Sequence, residues 1–333
     1  MSPVNSRSRL PRLIGWFAAG VLLLAALGLL FERQRVVDTL LFYQYTPSSN
    51  VENITKRLGL TDNAKFMFYA SHPSVESSDT FNDFCERQEA GSPILGCYAN
   101  KRIHIYNVTD ERLDGIQDVT AAHEFLHAEY ERLSQAEKKR LEPLLERAYK
   151  KLANDELKVR MEYYARAQPG EKYNELHSII PTEFVDIGDE LNTYYKQYFT
   201  DRPSIVKLHA KVNAQFTQLS KEANALVDRI NELAIAVNSN TEKYNSGVAS
   251  LNQKVIAFNA RANQPGGFTT QAEFSAEKAA LEAEKAGLDT LRSQINSDIT
   301  TREQLISQLD AINATAKSLN ESIDSVLSDE PKL

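Results

Sequence analysis

The chain has 333 residues, of which 42% are hydrophobic and 25% charged, a balance that allows one large or two ordinary domains with a real core. Its net charge of -7 argues against a general nucleic-acid binder, because neutralising phosphates takes a surplus of Lys and Arg on one face, and no such basic stripe occurs.

Residues 13–31 read LIGWFAAGVLLLAALGLLF without a charge, long enough at helical rise to cross the hydrocarbon core of a bilayer. A signal peptide would have a shorter apolar stretch and a small-x-small cleavage site. Here Leu29, Leu30, Phe31 and Glu32 follow instead, so an uncleaved anchor is expected. Arg7, Arg9 and Arg12 precede the span, while Arg33 and Arg35 follow it beside Glu32 and Asp38. The positive-inside bias then places residues 1–12 in the cytoplasm and everything after the span outside it, as a single-pass membrane protein. The only two cysteines, Cys85 and Cys97, can pair as a disulfide in an oxidising compartment; two unrelated buried thiols are the alternative.

Residues 32–202 are rich in Tyr, Phe, His and Pro. Gly91-Ser92-Pro93 signals a turn and Ile94 to Tyr98 a short strand. After a turn at Ala99-Asn100-Lys101, Ile103, Ile105 and Asn107 alternate with His104 and Tyr106, as in a strand whose two faces meet different surroundings. A helix is expected from near Val119-Thr120 through Glu129. It carries His123 and His127 four residues apart, one turn above the other on one face, where two imidazole nitrogens can reach one zinc ion. Glu124, beside the first, can take a proton from a water as general base, which makes the pattern H-E-x-x-H. Phe125, Leu126 and the alanines 121, 122 and 128 make the segment apolar, and three ionisable groups buried there call for a shared partner such as a metal. Internally satisfied histidines on a structural helix are the bland alternative.

The segment TAAHEFLHAEY resembles the catalytic helix of the zincin metallopeptidases, and the strand through Ile103 and Ile105 resembles the edge strand with which those enzymes hold an extended peptide. The resemblance covers about residues 94–188. Glu129 departs from it, standing where many members have an apolar residue, and no glycine with a third histidine follows His127 shortly, which disfavours the metzincin type. Asn174-Glu175-Leu176-His177-Ser178-Ile179 is similar to the Asn-Glu-x-x-Ser helix of the thermolysin-like gluzincins, whose glutamate completes the zinc site. That implies Glu175 as third ligand, with Glu183 and His177 as alternatives if the backbone shifts near Pro181. Ile179 replaces the aspartate that usually partners the first histidine, and Glu183 or Asp186 could substitute. The resemblance also implies a donor for the oxyanion, for which Tyr163, Tyr164, Tyr194, Tyr195 and His177 are candidates by residue type alone. His72, His104 and His209 have no ligand-spaced partner, so surface or strand-face roles are the default.

Pro203-Ser204 suits the opening of a new helix. In residues 203–333 apolar residues recur at alternating three and four spacing, from Ile205, Leu208 and Val212 onward, a sustained heptad seam. Asn263-Gln264-Pro265-Gly266-Gly267 breaks it, and a second seam follows through Leu281, Leu288 and Ile295. The simplest outcome is an antiparallel helical coiled-coil hairpin on the order of 80 to 90 Å long. Polar seam residues, Asn240 and Arg302, would fix its register, and self-association or docking of a protein partner through it stays open.

The expected fold class is thus α+β: a small zincin-like metallopeptidase domain with a short sheet, preceded by one transmembrane helix and followed by the hairpin. The expected function is a membrane-anchored zinc peptidase acting on a peptide or protein substrate, without nucleic acid. The rivals are a coiled-coil scaffold with a structural zinc domain and a zinc amidase acting on cell-wall peptides.

Overall fold

Side-chain caps punctuate the first part of the chain. Ser48, Thr61, Ser134 and Asn154 each accept a backbone N–H three residues on, and Ser134 with Glu137 completes a reciprocal capping box. The computed structural model describes residues 33–86 and 93–326. It opens with α1 (Arg33–Gln44), α2 (Ser49–Leu58) and α3 (Asp62–Ala70), then β1 (Ser74–Glu76), α4 (Ser78–Asn82), β2 (Gly96–Ala99) and β3 (Arg102–Tyr106). After a 3-10 turn follow α5 (Ile116–Arg132), α6 (Gln135–Leu152), α7 (Asp155–Ala167), α8 (Lys172–Glu183) and α9 (Asp189–Tyr195). Two long helices close the chain, α10 (Arg202–Ala262) and α11 (Gln271–Ser322).

The α+β expectation is corrected by this element order: the described residues are predominantly helical, with three strands of three to five residues. Strand-favouring alternation is confined to residues 94–106, and elsewhere the apolar residues follow helical spacing. A second correction concerns the membrane. No helix among the described residues is long and apolar enough to cross one, since the long helices α10 and α11 carry charged residues along their whole length. The anchor expected at residues 13–31 lies outside the described residues. The single-pass topology and the extracytoplasmic placement of the site that were built on it are set aside.

The chain divides into two compact units, one of residues up to Gln215 together with those from Leu319, the other Phe216–Ser318. In the first, the sheet runs β1-β3-β2, with β1 parallel and β2 antiparallel to β3. The β2–β3 hairpin turns through Asn100 and Lys101, both at positive φ, the twist that suits a two-residue connection. Its apolar face, Ile103 and Ile105, is fully buried with Phe68, Ala121, Ala122, Phe125, Leu126, Leu176, Ile179 and Ile180, so α5 lies between the sheet and α8. Cys85 and Cys97 form a disulfide, their Cα atoms 5.8 Å apart. Buried Arg202 donates to the carbonyls of Pro181, Phe184 and Val185 and to Asn192 Oδ1, satisfying groups that the end of α8 leaves open.

Asp118, in the first turn of α5, is almost fully buried. Its Oδ1 has no hydrogen bond and lies 3.3 Å from Arg57 Nε, and burial, outweighing Arg57, pushes the carboxyl up to about 6. A raised folded-state pKa means that the folded chain binds the extra proton. Stability from this group is therefore complete at low pH and lost as pH rises through about 6. Asp118→Asn is expected to raise the melting temperature at pH 8 by the equivalent of about 1–3 kcal/mol and to leave it nearly unchanged at pH 4. Equal effects at both pH values would contradict this.

In the second unit, Gly247 meets Leu288, Lys254 pairs with Glu284 and Arg261 with Glu277. Residue numbers rising on one helix as they fall on the other mark the antiparallel hairpin expected from the seams. Phe258, Phe268 and Phe274 pack together near the turn. A Cβ on Gly267 would stand 1.8 Å from Arg261 O, so only glycine fits there. Arg302 Nε is buried without a hydrogen-bond partner, as expected of a polar residue in an apolar seam.

Candidate metal centre

The floor of the site is α5. His123 and His127 project from its exposed edge, with side chains 18% and 11% accessible, while Glu175 comes from α8 and is 4% accessible. These three offer ligand atoms that all lie within 4.8 Å of one another. Glu175 Oε2 is 3.9 Å from His123 Nε2, Glu175 Oε1 is 3.8 Å from His127 Nε2, and the two Nε2 atoms are 3.0 Å apart. The H-E-x-x-H pair and the carboxylate expected from the Asn-Glu-x-x-Ser pattern thus converge.

The two rival ligands are engaged elsewhere. Glu183 forms a fork with Arg160 at 2.8 and 2.5 Å and lies 3.7 Å from His209. His177 is fully buried between the Leu126 carbonyl and the Tyr194 hydroxyl, and burial pulls it down to about 3. Pro181 does not turn either toward the cluster; α8 continues through it to Glu183.

Partners around the ligands come from α7 and α8. Asn174 Oδ1 accepts from His127 Nδ1 at 2.9 Å, which leaves the Nε2 lone pair facing the cluster. Asn174 in turn donates to Glu171. Ser178 Oγ stands 3.3 Å from both Nε2 atoms. The Tyr164 hydroxyl favours the charged form of Glu175. Asp186, one proposed substitute for the missing aspartate, pairs instead with Lys151, and Ile179, at the aspartate's position, is buried in the core.

Burial dominates the electrostatics. It lowers His123 and His127, favouring the neutral, ligating form of each imidazole, and pushes Glu175 up to about 8. Glu175 Oε2 is buried and has no hydrogen-bond partner. Two neutral imidazoles and a carboxylate with an orphaned oxygen form a donor set that suits zinc, which takes nitrogen and carboxylate ligands. Glu124 lies in the same cavity and is also raised, first by burial and then by Glu175.

The cavity, about 680 Å³, is lined by α5, α7, α8, β2 and the disulfide. Of the proposed oxyanion donors only Tyr163 and Tyr164 line it. Tyr194, packed against the core, bonds His177 and Tyr198, and the core residue Tyr195 donates to the His177 carbonyl. Arg160 lines the cavity too, held by Glu183, and its Nε is buried without a hydrogen-bond partner. Nothing singled it out in the sequence, although Arg160 and Tyr164 sit at helical i, i+4 spacing on α7 and therefore face the same way. The edge strand beside the site is β2, not the Ile103–Ile105 strand expected, which is central. The other histidines do not approach the cluster: His104 pairs with Glu76 in the sheet, and His72 bonds Leu41 O and Arg102. Comparisons with protein-family models, curated proteins and solved structures give no match to this chain.

Proposed function

We propose that the chain is a zinc-dependent peptidase that hydrolyses peptide bonds, similar to the gluzincins, with His123, His127 and Glu175 holding the metal and Glu124 as general base. The observation that carries this reading is the convergence of three ligand atoms from two helices within 4.8 Å, in a cavity that also holds a buried, unusually basic carboxylate. A structural site has no use for that fourth residue. Held by His123, His127 and Glu175, zinc would supply Lewis acidity toward the scissile carbonyl and the attacking water. Glu124 takes the proton from the water and passes it to the departing amide nitrogen. Asn174 keeps His127 in the tautomer that presents Nε2, and Tyr164 favours the charged, ligating form of Glu175. Free backbone groups on the edge of β2 are available to an extended peptide.

Metal removal tests the reading. The purified chain, screened against a mixed peptide library, is expected to lose hydrolysis on dialysis against a chelator and to regain it with about one equivalent of zinc per chain. Hydrolysis that survives chelation would exclude the reading.

A further inference from the structure

The edge strand β2 has a second task, visible in its hydrogen-bond alternation. Tyr106 N–H donates to Leu95 O at 2.8 Å, and in the register Gly96↔Ile105, Cys97↔His104, Tyr98↔Ile103 the bonded pairs then fall at 95/106 and 97/104. In an antiparallel ladder the intervening residues point their N–H and C=O away from the partner strand. Gly96 and Tyr98 therefore turn their backbone groups to the free edge, since β2 is the last strand of its sheet.

Tyr98 and Glu124 nonetheless line the same cavity, and the Tyr98 N–H favours the charged form of the Glu124 carboxylate. Two residues earlier, Gly96 leaves room for that carboxylate. A Cβ built there would lie 2.5 Å from Thr120 Cγ2, 2.8 Å from Glu124 Cγ and 3.0 Å from Glu124 Oε1. The first two distances are closer than side-chain atoms tolerate, so any other residue forces Glu124 or Thr120 aside.

We propose that Gly96 and the Tyr98 amide are the positioning elements of the general base: β2 fixes the Glu124 carboxylate by one backbone donor and one missing side chain. The consequence for rate rests on the peptidase reading; the contact itself does not. A base held by the backbone keeps its geometry before substrate arrives, where a free glutamate would have to be ordered during the reaction. Because this N–H is taken, a peptide lying along β2 must pair with the remaining edge groups, those of Gly96 and the Tyr98 carbonyl.

Amide hydrogen exchange on the full metal-free chain tests the contact without any hydrolysis. Glu124→Ala is expected to speed exchange of the Tyr98 amide by about tenfold or more, as befits loss of a charge-assisted bond. Glu124→Gln, whose side-chain carbonyl still accepts, should restore most of the protection, and the Cys97 amide should remain protected in both. Gly96→Ala is expected to lower kcat by about tenfold or more with KM nearly unchanged. Adding Thr120→Ser removes the Thr120 clash alone and should not recover the rate. Tyr98 exchange that is unchanged in Glu124→Ala would overturn the proposal, even if Gly96→Ala fails to fold. Full recovery in Gly96→Ala/Thr120→Ser would reduce Gly96 to a packing residue and overturn its part. If Glu124→Gln keeps full hydrolysis while the exchange pattern holds, the peptidase reading fails and the contact stands.

Discussion

Glu124→Gln is expected to keep its zinc and to lose about 10³-fold in kcat, within the range that general bases contribute. The substitution preserves shape, and the amide oxygen can still accept from Tyr98, so the fold and the ligand cluster are undisturbed. What it removes is the ability to take a proton. In this site that ability is enhanced, because burial and the nearby Glu175 raise the basicity of the carboxylate. The measurement is steady-state hydrolysis of the best library peptide beside metal analysis of the same preparation. Zinc retained with hydrolysis lost supports the mechanism, and unchanged hydrolysis refutes it.

The second large effect lies at the C-terminal end of the same helix. Arg132, at the last turn of α5, is 9% exposed and donates to Asp38 at 3.0 and 3.3 Å, to Ser71 at 3.1 Å and to the Ala128 carbonyl at 3.0 Å. Asp38 is 1% exposed, and Glu129, with an oxygen lacking any hydrogen bond, lies 3.6 Å from the same guanidinium. The pair ties α1 to the helix that carries the histidines. Arg132→Met removes one cation and strands a fully buried carboxylate, which costs about 3–5 kcal/mol. Glu129 escapes part of that penalty, since burial already pushes it up to about 7 and it can take up a proton. Arg132→Met is therefore expected to lower the melting temperature by roughly 10 °C. Asp38→Leu/Arg132→Met, with neither charge, should recover at least half of the loss. A single variant as stable as wild type in urea unfolding would contradict this account of the network.

How much of this was legible in the sequence depended on how local each signal is. The i, i+4 spacing of His123 and His127 fixes a shared helical face by itself, and the closeness of their two rings followed from it. The hairpin of α10 and α11 was legible for the same reason, a repeat kept over many turns and broken at Pro265-Gly266-Gly267. The β2–β3 hairpin could be read from alternation bounded by turn residues. β1, three residues long, has no period to detect, and its parallel pairing is a long-range choice.

The helical character of residues 33–70 was missed because no motif drew attention to α1–α3, and the α+β expectation failed with it. Glu175 was chosen over Glu183 by resemblance alone. The physical reason lies on another helix, where Arg160 occupies Glu183, and no local pattern reports a pairing 23 residues apart. An aspartate partner for the first histidine is missing at Ile179, whereas the chain supplies Asn174 to the other histidine, His127. The role of the Tyr98 amide is invisible to sequence in principle, because which backbone groups face a sheet edge depends on register and not on residue type.

Zinc titration of the wild-type chain beside Glu175→Gln and Glu183→Gln, with X-ray absorption at the zinc edge, tests the central claim most directly. The expected result is one tight zinc per chain in a shell of two imidazole nitrogens and carboxylate oxygen. Affinity should fall in Glu175→Gln by more than the roughly 10–100-fold typical of an outer-shell partner and change little in Glu183→Gln. Undiminished binding in Glu175→Gln, or an absorption spectrum without imidazole, would contradict it.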